Sequence, residues 1–469
     1  MYGLDKDIVV IGGGPGGYVA AIRAAQLGAK VALIEKDKLG GTCLNRGCIP
    51  TKTLYRDAEI LNTLKKVDSF GINVDGFSID VEKMQERKDL VVVQLRDGIA
   101  NLLKANGVEV YNGFGKIKGK NTVEVSMDDG AKDISTKNII IATGSKPSLP
   151  PIEGADLPNV YSSEDMLNFK AVPKKLLIVG GGVIGMEFAG IFNSMGSKVT
   201  VVEFMPRILL QTDTDITKRF SVLLKKKGID VYVSTRVNKI EKSGDGFLVH
   251  TENKKGETVF EADNVLIATG RSPLIEGLNI EGVGIKFDKK GIKVDENYMT
   301  SVENIYAIGD VNGISMLAHA ASNQGVQTAE KIMGIDSKGK HNPIPSCIFV
   351  FPEIASVGVT EDEAKEKGIK YKTSKSMFGG NGKALALGEP EGLVKVIASE
   401  DDTIIGVHIM GPHASDLINE GNIAVSMGMK ASEVGSIIHA HPTLSETFHE
   451  AVLGINGSGI HTMPIRKRV

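Results

Sequence analysis

Tryptophan is absent from the 469-residue sequence, aromatic residues make up only 5% of it, and cysteine occurs three times. Three cysteines in so long a chain are too few for a disulfide framework, so any disulfide here is expected to serve chemistry and not architecture. An excess of one charge is lacking as well. The 55 basic and 57 acidic residues leave a net charge of −2, which gives no general attraction to nucleic acid or to an anionic membrane surface. The short basic runs Lys225 to Lys227 and Arg466 to Arg468 read as a solvated face and a solvated tail. Long apolar runs are missing too: the longest, Leu176 to Phe192, is interrupted by glycines and by Glu187, and reads as strand, turn and helix instead of a membrane span. A buried-strand pattern, Ile8 to Ile11, begins within a few residues of Met1, leaving no room for a signal or transit peptide, so a cytoplasmic location is expected.

What is present is glycine, 55 residues of it, in a chain 42% hydrophobic and 24% charged. That composition is globular α/β, and the length implies about three domains. Ile8 to Glu35 runs as a β-branched stretch, then Gly12-Gly13-Gly14-Pro15-Gly16-Gly17, a helix-period stretch to Gly28, and a strand Lys30 to Glu35. Leu176 to Glu203 repeats it, with the same 23 positions from Gly180 to Glu203 as from Gly12 to Glu35. Each copy is later followed by a matching strand end, Asn138 to Gly144 and Asn264 to Gly270. Two homologous βαβ dinucleotide domains are implied. The proline-containing stretch Lys146 to Gly154 is a plausible crossing between them, and residues from Arg271 to Gly339, with a strand Asn304 to Ile308, are expected to return to the first. After His341 alternating strands (Leu393 to Ala398, Thr403 to Met410) and helices from Ser415 and Ala431 read as a third, α+β domain. The boundaries are thus placed at 1–147, 148–270, 271–340 and 341–469.

The glycines have separate duties. Gly12 and Gly180 allow the tight turn, Gly14 and Gly182 let a pyrophosphate approach the backbone, and Gly17 and Gly185 let helix pack on strand. A pyrophosphate then sits on a helix N-terminus, where free N–H groups and the dipole favour anions. Glu35 and Glu203, each ending the next strand, would accept hydrogen bonds from an adenosine ribose. Glu203 would repel a 2′-phosphate and no arginine follows it before Arg207, which favours NAD over NADP at the second site. Asp310, after Gly309, is placed to bind a sugar-like chain on the first dinucleotide, to cap a helix, or to do both.

Cys43 and Cys48 lie five positions apart, more than one helical turn, so bridging them requires a distorted helix. Gly47 and Pro50 supply that freedom, Pro50 by lacking an N–H and crowding the Arg46 carbonyl. A loop this short would constrain the unfolded state by only about 2 kcal/mol, so a redox disulfide explains the pair better than a structural one. A zinc site would want shorter spacing and a second ligand pair, and no metal site is expected. Cys347 has no partner in the sequence and reads as a small buried hydrophobe.

With these motifs together, the chain resembles the pyridine nucleotide-disulfide oxidoreductases and, within them, the dihydrolipoyl dehydrogenases. The resemblance runs end to end through Gly12 to Gly17, the Cys43/Cys48 box, Gly180 to Gly185 with Glu203, Ala268-Thr269-Gly270-Arg271, Tyr306 to Asp310, and His439-Ala440-His441-Pro442-Thr443-Leu444-Ser445-Glu446. It implies an α/β fold with two Rossmann-like dinucleotide-binding domains and a C-terminal α+β dimerisation domain. It implies FAD at the first site and NAD at the second, with Lys52 and Glu187 as an ion pair beside the flavin. Backbone at Gly115, Gly144 and Ala318 would lie near FAD, and at Val237 and Gly270 near NAD. Cys43 would face the substrate and Cys48 the flavin. A dihydrolipoyl dithiol would attack the disulfide as a thiolate, which needs a base; His441 is the candidate, with Glu446 fixing its ring. His439 and His449 read as structural. The resemblance further implies a homodimer in which His441 of one subunit serves Cys43 of the other, with His441-Pro442 a candidate cis bond. The expected partner is free dihydrolipoamide or a lipoyl-carrying protein, with no nucleic acid and no membrane.

Two positions depart from the pattern: Arg46 stands where these enzymes commonly carry an aliphatic residue, and His319 to Gln324 lacks acidic residues often found after that histidine. Rival readings are a reductase of glutathione, mercuric ion or a related thiol, and a catalytically silent flavoprotein. The tail Met463 to Val469 has no cysteine pair for mercury, Glu203 argues against NADP-linked glutathione reduction, and Cys43, Cys48, His441 and Glu446 occurring together argue against a silent subunit.

Overall fold

The computed structural model describes residues 4–335 and 342–461. The basic tail Arg466 to Arg468, the segment Met463 to Val469 and the 340/341 boundary lie outside the described residues. The chain forms two compact units, one of residues 1–150, 161–171 and 269–340, the other of residues 151–160, 172–268 and 341–469.

In the first unit a parallel sheet runs in the order Glu109–Asn112, Val31–Glu35, Lys6–Ile11, the end of Gly130–Ile141, and Ile305–Ala307. Ile8 pairs with Val31 and Asn138, and Ile305 with Ile139, so the returning segment after residue 271 completes this sheet. Ile8, Val9, Val10 and Ile11 are all buried, as expected for a strand covered on both faces. Each such side chain contributes about 1.5–3 kcal/mol. One face is closed by the helices Pro15–Gln26 and Ala318–Ile332. These two helices meet at Gly325, where an added Cβ would fall 2.5 Å from the Gly16 carbonyl oxygen; small residues alone permit that crossing. The long strand Gly130–Ile141 also turns into an antiparallel extension with Thr122–Met127 and Phe114–Gly119.

The second unit repeats the parallel pattern in the order Asp230–Tyr232, Lys198–Val202, Lys175–Val179 and Asn264–Ile267, with the helix Val183–Ser194 following the glycine turn. A three-stranded antiparallel sheet, Arg236–Ser243, Gly246–Asn253 and Gly256–Ala262, precedes the last of these strands. Its C-terminal part is a five-stranded antiparallel sheet in the order Ser346–Ile348, Glu353–Gly358, Ile404–Gly411, Leu393–Ser399 and Tyr371–Met377, packed against helices Ala414–Ser426 and Ser445–Ile455. Cys347 is half-buried at the edge of that core, less enclosed than its sequence context implied.

One buried charge cluster lies in this unit. Lys395 is 1% exposed and its Nζ lies within 3.0 Å of Asp213, Asp215 and Glu361. Burial pushes the Asp215 carboxyl up, but Lys375 and Lys395 outweigh it and hold it at about 2. Lys365 and Lys395 hold Glu361 at about 2. No helix among the described residues is long and apolar enough to cross a membrane.

Candidate active site

Cys43 and Cys48 are joined in a disulfide, with Cα atoms 4.7 Å apart. The helix Gly41–Arg46 ends at Gly47 and a new helix, Cys48–Leu64, begins. Gly47, not Pro50, therefore carries the break. Pro50 is the third residue of the second helix, where its missing N–H would have had no intrahelical partner. A Cβ on Gly47 would lie 3.0 Å from the Thr42 carbonyl oxygen and 3.4 Å from the Cys43 Cα, so glycine is what lets the chain close so tightly. Gly41, at φ +57°, packs its Cα against Gly14: a Cβ there would fall 2.7 Å from the Gly14 Cα. The redox loop is thereby seated on the first glycine-rich turn.

In that turn, Gly12 has φ +107° and an added Cβ would strike the Ala142 carbonyl oxygen at 2.3 Å; one on Gly17 would strike the Gly12 carbonyl oxygen at 1.8 Å. Gly14 precedes the helix with no side-chain cap, and its Cβ position is open, with nothing nearer than 3.8 Å. An uncapped helix N-terminus with open space before it fits a pyrophosphate. The Glu35 carboxylate accepts from Gly13 N at 2.7 Å and Asp37 N at 2.8 Å, one per oxygen, which leaves lone pairs for ribose hydroxyls. Burial pushes this carboxyl above its usual range, against the opposing pull of the Gly13 N–H. Asp310 lies within the short 3₁₀ turn Gly309–Asn312 and caps no helix, so the capping alternative is set aside. Burial raises its carboxyl too, and it accepts from Ser145 Oγ at 2.5 Å. Ala318 opens the helix Ala318–Ile332, again without a side-chain cap, and Gly115 lies on Phe114–Gly119, where a Cβ would press on Ile11 at 2.9 Å. Gly-rich turn, sugar-accepting carboxylates and open helix N-termini together form a donor and acceptor set that fits FAD.

The second turn is built alike. Gly180 has φ +112°, a Cβ on Gly185 would lie 2.0 Å from the Gly180 carbonyl oxygen, and Gly182 is uncapped with open space at its Cβ position. Glu203 accepts from Gly181 N at 2.5 Å and Met205 N at 2.6 Å, repeating the geometry of Glu35. A carboxylate held by the Gly181 N–H of the turn and by the Met205 N–H fits an adenosine ribose without a 2′-phosphate. Val237 is buried on Arg236–Ser243. Glu187, 4% exposed on Val183–Ser194, accepts from Phe349 N at 3.0 Å; Lys52 lies on Cys48–Leu64 in the first unit.

His441 follows an exposed loop and its peptide bond to Pro442 is cis. Its Nδ1 lies 2.9 Å from Glu446 Oε1, while Thr443 N donates to Glu446 Oε2 at 2.9 Å. The Thr443 N–H is the main influence holding Glu446 below its usual range, so it stays a carboxylate and can orient the ring. Nε2 is then the nitrogen available for proton exchange, on a side chain 78% exposed.

Sequence reasoning missed Ser145 and the role of Arg271. Gly144 (φ +72°) and Gly270 (φ +114°) lead into strands Ser145–Pro147 and Arg271–Pro273, which pair antiparallel with each other. Thr143 Oγ1 donates to the Leu274 carbonyl and Thr269 Oγ1 to the Ser148 carbonyl, so the repeated Thr-Gly ends clasp one another. Arg271 Nε donates to Ser145 Oγ at 2.8 Å and its Nη2 reaches Glu164 at 3.3 Å. Arg46 pairs with Asp37 and, at 3.8 Å, with Glu164, which ties the redox helix into this network. The matching positions after each Thr-Gly were the signal that could have exposed it.

Residues 6–325 match the family model of the pyridine nucleotide-disulphide oxidoreductases, and residues 344–452 match the dimerisation domain of the same family. The chain belongs to the pyridine nucleotide-disulphide oxidoreductase family. As a member of that family it is a flavin- and nicotinamide-linked disulfide oxidoreductase, and its dimerisation domain makes it a homodimer. It is 44% identical to a dihydrolipoyl dehydrogenase of Bacillus subtilis (strain 168), covering 97% of this chain and 99% of the relative, and 42% identical to a mitochondrial dihydrolipoyl dehydrogenase of Dictyostelium discoideum, covering 97% and 96%. Among solved structures it is similar to LpdA from Mycobacterium tuberculosis (TM-score 0.89, 26% identity, covering 95% of this chain and 99% of that one). It is similar also to the HOCl-induced flavoprotein disulfide reductase RclA from Escherichia coli (TM-score 0.85, 29% identity, covering 95% and 99%).

Proposed function

We propose that this oxidoreductase is a dihydrolipoyl dehydrogenase, which oxidises a dihydrolipoyl dithiol to its cyclic disulfide and reduces NAD. The observation that carries the reading is the Cys43–Cys48 disulfide, standing at a glycine-made helix break, in a chain matched end to end by proteins of that name. Residues 1–147 and 271–340 would hold FAD, 148–270 NAD, and 341–469 the dimer contact.

His441 takes the proton of one substrate thiol, and the resulting thiolate attacks Cys43. The Cys43–Cys48 bond breaks, Cys48 leaves as a thiolate, and the substrate is held as a mixed disulfide on Cys43. The second substrate thiol then attacks the substrate sulfur bonded to Cys43, closing the lipoyl ring; the S–S bond to Cys43 breaks and Cys43 leaves as a thiol carrying the proton of the attacking group. Glu446 stabilises the imidazolium formed at His441. FAD, when bound, would supply the two-electron chemistry that links the Cys48 thiolate to the nicotinamide of NAD. Glu35, Asp310 and the Gly12–Gly17 turn hold the flavin nucleotide, and Glu203 with Gly180–Gly185 holds NAD. In the dimer, His441 and Glu446 serve the partner's disulfide. Substrate arrives as free dihydrolipoamide or on a lipoyl-carrying protein, as for the shared subunit of 2-oxoacid dehydrogenase or glycine cleavage complexes, in the cytoplasm.

Steady-state turnover with dihydrolipoamide and NAD tests the reading against NADPH-driven reduction of glutathione disulfide. Turnover of dihydrolipoamide with NAD far above that with NADP is expected. Turnover of another disulfide alone would instead favour a reductase of the RclA kind.

A further inference from the structure

Between the helix Ala431–Gly435 and the helix Ser445–Ile455, residues 436–442 are all exposed except His439. Ile437 and Ile438 are 49% and 96% exposed, so apolar burial within this chain does not anchor the segment. The His439 side chain, by contrast, is 7% exposed. Its Nε2 lies 2.5 Å from Glu420 Oε1 on the helix Ala414–Ser426, and its Nδ1 lies 3.0 Å from the Ile437 carbonyl oxygen. Its ring stacks on that of His449, centroids 4.3 Å apart and planes 18° from parallel. His449 in turn reaches back through Nε2 to the Gly435 carbonyl oxygen at 2.9 Å. Two helices and the loop's own backbone thus converge on one imidazole, two positions before His441.

We infer that His439, held by Glu420 and His449, is a positioning residue that fixes the exposed loop so that His441 is presented to the disulfide at a set distance and angle. The inference rests on His441 being the base of the proposed reaction. His441 is tethered on its C-terminal side through Glu446 and Thr443; the His439 clamp supplies the tether on the other side. With both ends fixed the imidazole is aimed before substrate arrives, and a misplacement of about 1 Å is enough to cost roughly 100-fold in rate.

The test compares Glu420→Ala with Glu420→Gln in the flavin-loaded dimer. Glutamine presents both an amide oxygen and an amide nitrogen, so it can bridge to the ring whichever nitrogen carries the proton; alanine cannot. In Glu420→Ala, kcat for dihydrolipoamide oxidation should fall roughly 10- to 100-fold with the KM for NAD unchanged, and Glu420→Gln should recover most of it. NADH oxidation by ferricyanide, which draws electrons from the flavin without His441, should be equal in all three proteins. Unchanged kcat in Glu420→Ala, a Gln variant as impaired as Ala, or a parallel loss in the ferricyanide reaction or in bound flavin overturns the assignment. A wild-type enzyme that does not oxidise dihydrolipoamide overturns the substrate reading and this assignment with it; an active wild type with an unaffected Glu420→Ala overturns the assignment alone.

Discussion

His441 Nδ1 and Glu446 Oε1 stand 2.9 Å apart, and the second oxygen of the same carboxylate is fixed by the Thr443 N–H. The ring orientation therefore depends on a group that is itself tied to the backbone. Replacing Glu446 with alanine should lower kcat for dihydrolipoamide oxidation by roughly 100-fold while leaving NADH-driven flavin reduction intact. Stopped-flow measurement of the two half-reactions separates these effects; slowing of both would assign Glu446 a role in folding.

The groups fitted to FAD, from Gly12 to Gly17 with Glu35 and Asp310, do not involve the sulfurs. Cys48→Ser should consequently abolish dithiol oxidation and still purify yellow, with a flavin to protein ratio equal to wild type. A colourless protein would show that the disulfide helps to hold the cofactor.

Glu203 joins Gly181 to Met205 and carries the charge that would oppose a 2′-phosphate. Glu203→Ser combined with Phe204→Arg, at an exposed neighbouring position, should lower kcat/KM for NAD and raise it for NADP. An unmoved ratio would mean that the adenosine ribose lies elsewhere.

The repeat was legible because a βαβ unit leaves little choice of length: Gly12 to Glu35 and Gly180 to Glu203 have equal spacing, and their glycines and glutamates occupy equivalent places in the structure. The disulfide was legible because five residues cannot be bridged along an intact helix, and of the two residues expected to free the chain, Gly47 and Pro50, the break falls at Gly47, in tight local contact with Thr42 and Cys43. The Ser145–Arg271–Glu164 network was not legible, since its members are distant in the chain and meet only through the pairing of two three-residue strands. His439 looked structural for a similar reason: it lies in a loop, and its partner Glu420 is 19 positions away on the helix Ala414–Ser426.

Lys395 was equally hidden, with carboxylate partners up to 182 positions away. Removing one member of a buried charge cluster leaves the others unpaired, so Lys395→Met should cost about 3–5 kcal/mol in unfolding free energy at pH 7. Asp215 and Glu361 titrate at about 2 when folded, below their ordinary 3.8 and 4.5. Their contribution is complete above those ordinary values and is lost as pH falls towards 2. Urea titrations should show wild type losing stability between about pH 4.5 and 2, with a smaller loss in Lys395→Met. Parallel curves would mean that the cluster does not govern acid stability.

The most direct test of a redox centre shared between subunits is to mix two inactive proteins. Cys48→Ser and His441→Gln should each be nearly inactive in dihydrolipoamide oxidation. In a heterodimer of the two, one site carries both defects and the other carries neither, so purified heterodimer should turn over at about half the wild-type rate, as two-fold equivalence of the sites requires. Heterodimer as inactive as its parents would contradict the account, because the disulfide and the base would then belong to the same chain.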